Sequence, residues 1–384
     1  MDRNTLTKRF KEIYGKEPDG VYFAPGRVNL IGEHVDYNGG LVFPCALSFG
    51  TYLLVARRED KMTAFTTLNF DHAATLDERS FTEKPATWER YPLGVMKEFA
   101  DKGYDSWGYD LLFYGDVPHR AGLSSSASIE LVTAVMLNDV LAAGIDPVEL
   151  ARMSQRAENL FVGMHSGIMD QFASAMGKAN HAIALDCATL GFEWVPLDME
   201  GYSVVVANTN KRRELADSKY NERRGECEEA ARILGREIAL ETLCELTPEV
   251  FEKYAGKITD DTIRRRARHA VSENARVKEA VAALKGGNLQ RFGQLMNDSH
   301  RSLKEDYEVT GIELDTLAEE GQKLEGVLGS RMTGAGFGGC TVSLVANDAI
   351  PSFVATLGER YKALVGLTAD FYVASIGDGA MKLD

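Results

Sequence analysis

The stretch GDVPHRAGLSSSASIE, residues 115–130, constrains the fold more than any other part of the chain. It follows YDLLFY (residues 109–114), short, apolar and aromatic, which reads as a strand, and it leads into residues 128–141, whose apolar positions recur at helical spacing. Ala121, Gly122, Leu123, Ser124, Ser125 and Ser126 lie between them. Gly122 permits a tight turn, the N–H groups from Leu123 to Ser126 become orphan donors of a helix start, and the helix dipole adds partial positive charge. A strand, turn and helix of this kind form an anion cradle. One serine would suffice as a helix cap, whereas three supply further hydroxyls for phosphate or metal-bound oxygen, which favours phosphate binding. No GxxxxGK[ST] run and no HRD or DFG triplet occurs, which excludes the P-loop and protein-kinase templates.

At 384 residues two domains are expected, and 45% hydrophobic with 26% charged residues is the composition of a globular protein. A net charge of -14 argues against a nucleic-acid partner, and the basic cluster Arg264, Arg265, Arg266 and Arg268 reads as a solvated helix face. Five scattered cysteines without a CxxC pair suggest neither a disulfide framework nor a zinc site. The polar N-terminus and the lack of a long apolar run predict a cytoplasmic protein with no membrane span.

Leu6, Phe10 and Ile13, followed by Gly15, predict a short amphipathic helix over residues 2–14. In VYFAPGRVNLIGEHVDYNGG, residues 21–40, a strand breaks at Pro25-Gly26 and enters a loop holding Arg27, Asn29, Glu33, His34, Asp36, Tyr37 and Asn38. So many hydrogen-bonding groups suit a polyhydroxylated ligand, since each sugar hydroxyl both donates and accepts. An ordinary polar loop around an Asn-Gly turn at Asn38-Gly39 explains the glycines but not the density of Glu, His and Asp, while a metal site is disfavoured by the single histidine.

Residues 41–57 and 62–70 read as strands and 91–102 as a helix, all scaffold. Residues 147–162 form another helix, whose Glu158 borders the apolar face and by itself carries no assignment. In HSGIMDQFASAMG, residues 165–177, Asp170 is open between a functional acid and a helix-terminal one. The pattern shifts after Leu197 to a strand over residues 203–208 and amphipathic helices over 262–285, 288–304 and 312–324, a second α+β domain. Gly334, Gly336 and Gly339 match GxGxxG literally but lead into the strand-like CTVSLV rather than a helix, so the dinucleotide reading is rejected.

Taken together, GRVNLIGEHVDYNGG, VPHRAGLSSSAS and MTGAGFGGC resemble the three motifs of the GHMP kinase family, and the first resembles the galactokinase signature within it. NKRRELADSKYNERRGEC, residues 210–227, is also similar to galactokinases. The resemblance implies an α+β fold of two domains, an N-terminal ribosomal S5 domain 2-like unit (residues 1–197) and a C-terminal ferredoxin-like unit (198–384), with the site in the cleft between. It implies transfer of the ATP γ-phosphoryl group to the C1 hydroxyl of galactose with Mg²⁺ as cofactor and no obligate protein partner. Asp170 would be the catalytic carboxylate and Arg27 its partner. Glu33, His34, Val35, Asp36, Gly167 and Tyr220 would form the sugar site. Arg120, Ala121, Gly122, Leu123, Ser124, Ser125 and Ser126 would wrap the phosphates, with Ser126 and Glu158 holding Mg²⁺. The third motif would help shape the phosphate region. Arg120 stands where the family's loop has glycine, and Val35 where the signature has threonine. A silent sugar- and ATP-sensing regulator, or a kinase for N-acetylgalactosamine, arabinose or galacturonate, are the alternatives.

Overall fold

Strand Gly20–Asn29 is buried along nearly its whole length, which its run of apolar and small residues permits only if both faces are covered. It is the second strand of a six-stranded sheet whose order is Met381–Leu383, Gly20–Asn29, Pro44–Arg57, Tyr109–Gly115, Thr63–Thr67 and Ala73–Leu76. All pairs are antiparallel except Thr63–Thr67 with Tyr109–Gly115. This computed structural model describes residues 1–117, 122–211 and 216–383, without the side chains of 216 and 217.

One face of the sheet receives helices Arg90–Asp101, Ser125–Val140 and Pro147–Arg156, whose Leu93, Phe99, Leu131 and Met153 pack on Leu53, Leu111 and Phe113. On the other face lies helix Arg3–Tyr14, capped by the Asp2 carboxylate and ended by Gly15 at φ 71°, with Leu6 and Phe10 against Leu54 and Leu112. A small sheet of Leu41–Val42, His181–Asp186 and Phe192–Pro196 follows.

The remaining sheet has the order Val327–Thr333, Cys340–Ala346, Tyr202–Asn208, Asp370–Val373, entirely antiparallel. Helices separate its first strand in sequence from its second, and helix Ile350–Val365 separates its third from its fourth. That is the split βαβ arrangement of a ferredoxin-like unit. Helices Asp261–Lys285, Leu289–Ser302 and Gly311–Gln322 match the expected segments, and Asp260 and Asn288 cap the first two through their side chains. The chain does not divide cleanly at residue 197, because Val21 to Phe23 pair with Leu383 to Met381 and return the last strand to the first sheet. Val28, Leu30 and Phe43 from the first half share one apolar cluster with Val204, Val206 and Val342 from the second. Among the described residues no helix is long and apolar enough to cross a membrane.

Candidate active site

A bulge between Pro25 and Arg27 re-aims the end of the first strand. There the buried Arg27 donates from Nε and Nη2 to the two oxygens of Asp170, each at 2.8 Å, and from Nη1 to the carbonyl of Gly122 at 2.9 Å. A planar fork on a carboxylate fixes orientation as well as distance. The strand and the serine loop touch directly: Arg27 N–H donates to the Leu123 carbonyl, and a Cβ on Gly26 would stand 2.5 Å from that oxygen. Glycine is required there by close approach.

Helix Ser125–Val140 starts earlier than its apolar pattern suggests, placing Ser125 and Ser126 in its first turn. Ser124 holds the cap position at φ 60° yet makes no side-chain cap bond; its hydroxyl donates to Asp170 Oδ2 at 2.6 Å. Asp170 lies in the first turn of helix Met169–Met176, and its oxygens are committed to Arg27 and Ser124.

Glu33 is fully oriented: Asn29 donates to Oε2 at 2.9 Å, and Gly334 N–H and Arg331 donate to Oε1 at 2.8 and 3.3 Å. His34 Nε2 faces the Ala335 carbonyl, which can only accept, so that nitrogen carries the proton and Nδ1 accepts from the Tyr37 hydroxyl. Burial, chiefly, depresses His34 to about 3, so the ring is neutral. Both ring nitrogens are thus engaged, and the side chain offers its ring to the cavity rather than a free donor or acceptor. Asp36 is pushed up to about 7, first by burial and then by the neighbouring charge of Asp170. Tyr220, from helix Ala216–Leu234, lies within 5.5 Å of His34 and 5.4 Å of Tyr37, ring centre to ring centre.

These residues meet. Arg27, Glu33, His34, Asp36, Ser126, Glu158, Gly167, Asp170 and Tyr220 line one cavity of about 80 Å³, which Gly334 and Ala335 help to close. The third motif therefore bears on this cavity through the bonds of Gly334 to Glu33 and His34 to Ala335, rather than serving the phosphate loop alone. Val35 is fully buried among Val42, Ile168 and Phe172, behind the site, and Leu123 joins the core. Gly122, at φ 73°, contributes its carbonyl to Arg27. Arg120 and Ala121 lie outside the described residues.

A second cavity of about 490 Å³ adjoins the first and shares Ser126 with it; Ser125, Asn69, Phe70, Trp88 and Tyr91 form much of its wall. Asn69 fixes its rim by exchanging bonds of 2.8 and 2.7 Å with the main chain of Gly115. Phe70 and Tyr91 fall in segments that the sequence marks as strand and helix scaffold and Trp88 falls in neither, so only the fold assembles them.

Glu158 occupies a π-helical turn, Ala157–Val162, that breaks the regular helix and buries the carboxylate. Burial raises its pKa. Ser126 and Glu158 present oxygen donors on one cavity, the chemistry Mg²⁺ takes beside substrate phosphates. A different cluster, His300, Asp315 and Glu319, is not equivalent: Met332 N–H donates to His300 Nδ1, so Nε2 carries the proton and faces Asp315, while Lys304 neutralises the carboxylates.

Three family descriptions match the chain: the galactokinase galactose-binding signature over residues 8–57, the GHMP kinase N-terminal domain over 90–178 and the GHMP kinase C-terminal domain over 280–363. A galactokinase of Fusobacterium nucleatum is 54% identical, covering 98% of this chain and 99% of that one. The chain belongs to the galactokinase family. A galactokinase of Clostridium beijerinckii is 52% identical over 99% of both chains. The crystal structure of Lactococcus lactis galactokinase complexed with galactose superposes with a TM-score of 0.97 at 46% identity, covering 99% of each chain. Mevalonate kinase shares the fold, with a TM-score of 0.68 at 17% identity, covering 93% of this chain and 99% of that one. In this galactokinase-family site, the signature segment supplies Arg27, Glu33, His34 and Asp36 to the smaller cavity, and the N-terminal kinase segment supplies Ser126, Glu158, Gly167 and Asp170.

Proposed function

We propose that the chain transfers the γ-phosphoryl group of ATP to the C1 hydroxyl of galactose, giving galactose 1-phosphate and ADP. The observation that carries this reading is the Arg27–Asp170 pair beside Ser126, the residue common to a small polar cavity and a larger aromatic one. The small cavity suits a sugar: oriented Glu33 accepts from a hydroxyl, Asp36 near its titration point both donates and accepts, and Tyr220 and the His34 ring pack on the remaining faces. Val35 supports this wall from behind. The aromatic cavity suits a purine base, and the start of helix Ser125–Val140 suits the phosphates, with Gly122 to Ser126 beside them. This helix start and the serine hydroxyls hold the triphosphate where its charge shifts during transfer.

Mg²⁺ would be held by Ser126 and Glu158 and would supply neutralisation of the phosphate charge. Asp170, oriented by Arg27 and Ser124, receives the C1 hydroxyl and takes its proton as the bond to phosphorus forms; Arg27 balances the carboxylate throughout. The reaction needs no protein partner, and its dependence on ATP fits the cytoplasm.

The test is ADP release by the purified protein with Mg²⁺ and a panel of galactose, 2-deoxygalactose, N-acetylgalactosamine, glucose, arabinose and galacturonate. Strong preference for galactose is expected; turnover confined to another sugar, or none with any, overturns the substrate assignment. Asp170→Asn should lower kcat by about 100-fold or more while galactose still binds, and retained turnover would remove Asp170 from its role.

A further inference from the structure

Behind the two cavities lies a group of buried polar side chains that phosphoryl transfer, as derived above, does not use. Gln171 is fully buried next to Asp170, and its Nε2 donates twice, to Glu158 Oε2 at 2.9 Å and to Glu130 Oε2 at 3.0 Å. Glu130 is also fully buried, on helix Ser125–Val140 one turn beyond Ser126. Ser166 donates to the same Glu158 oxygen at 2.5 Å. Glu158 Oε2 therefore receives both bonds, and that division leaves Oε1 as the oxygen available on the cavity shared with Ser126.

We infer that Gln171, anchored by Glu130, is a positioning residue that works with Ser166 to fix which oxygen of Glu158 meets the metal. The inference rests on the reading of Ser126 and Glu158 as the Mg²⁺ ligands. Its chemistry is that of outer-shell partners in general: a carboxylate free to rotate presents either oxygen, and holding one oxygen by two N–H or O–H donors selects the other. The same amide ties the helix that bears Ser126, through Glu130, to the turn that bears Glu158, so the two proposed ligands are held at a set separation. A purely structural glutamine would stabilise the fold without affecting metal affinity.

The experiment titrates Mn²⁺ into the ADP complex of the purified protein and follows free Mn²⁺ by electron paramagnetic resonance, for wild type, Gln171→Met, Ser166→Ala, Glu158→Gln and the double variant Glu158→Gln/Gln171→Met. Gln171→Met should weaken Mn²⁺ by about 10- to 100-fold with galactose affinity, measured calorimetrically without metal, unchanged within about twofold, and Ser166→Ala, at a residue that also lines the smaller cavity, should weaken Mn²⁺ in the same direction. In the Glu158→Gln background Gln171→Met should add nothing further. Unchanged Mn²⁺ affinity in Gln171→Met, with a loss in Glu158→Gln, overturns the positioning role and leaves the metal assignment standing. Unchanged affinity in Glu158→Gln overturns the metal assignment itself. Should Gln171→Met fail to fold, Ser166→Ala, at a partly exposed site, carries the test alone.

Discussion

Replacing Gly167 with alanine tests the sugar wall at one atom. A Cβ built on Gly167 would lie 2.1 Å from Asp36 Oδ2 and 2.4 Å from its Cγ. Gly167 is not at positive φ, so alanine meets no backbone strain, and the conflict is with the end of one flexible side chain. Asp36 must swing away, which leaves the fold intact and removes a hydroxyl partner from the cavity. Over-packing of this size costs about 1–3 kcal/mol. Galactose affinity should then fall by about 5- to 150-fold, on the rule of about 1.4 kcal/mol per decade. Calorimetric binding of galactose and initial-rate KM provide the readout, with Gly225→Ala as control because a Cβ there meets nothing within 4 Å. In an Asp36→Ala background the added methyl has no carboxylate to displace, so the second substitution should be nearly silent. Wild-type galactose affinity in Gly167→Ala, or full additivity in the double variant, would refute the reasoning.

Asp36 also predicts a pH effect on stability. Its folded pKa of about 7 exceeds the ordinary 3.8, so its contribution is fully present below about 3.8 and is lost as pH rises through about 7. Asp36→Asn should therefore gain melting temperature relative to wild type at about pH 8 but not at about pH 4, and parallel pH profiles would contradict this. Phe70 is 52% exposed on the rim of the aromatic cavity; Phe70→Ala should raise the KM for ATP by about fivefold or more, leaving melting temperature and galactose affinity unchanged. Arg27→Lys keeps the charge but cannot span both Asp170 oxygens and the Gly122 carbonyl, so kcat in single-turnover measurements should fall by about 100-fold, and near-normal turnover would show that the fork is dispensable.

Helical and strand periodicity located most of the elements because amphipathic faces such as Leu6 and Phe10, or the strand from Tyr109, are written locally. The polar cluster from Arg27 to Asn38 and the three serines were also legible, since both concentrate hydrogen-bonding groups between glycines, although the first strand runs on through Arg27 to Asn29 instead of breaking at Pro25-Gly26, and Leu30 and Val35 join the core. What stayed hidden depends on contacts between distant segments. Nothing near Ser124 indicates that its hydroxyl leaves the helix for Asp170, and nothing near Glu158 indicates a π-helical turn that buries it. His34 reads as a free imidazole until Tyr37 and Ala335 are seen to occupy both nitrogens. The aromatic cavity was illegible for the same reason: Phe70, Trp88 and Tyr91 converge on Ser126 only through the sheet.

The apolar cluster that joins Val28, Leu30 and Phe43 to Val204, Val206 and Val342 limits how this molecule can move and melt. Its two sheets cannot swing apart like jaws without wetting a shared core, and a large hydrophobic contact of that sort suppresses the rigid-body motion that separate domains otherwise have. Admission and release of substrates must therefore fall to loops at the cleft's rim. In a calorimeter the two halves should melt as one cooperative unit, and galactose, although it would touch only a few side chains, should shift that entire transition.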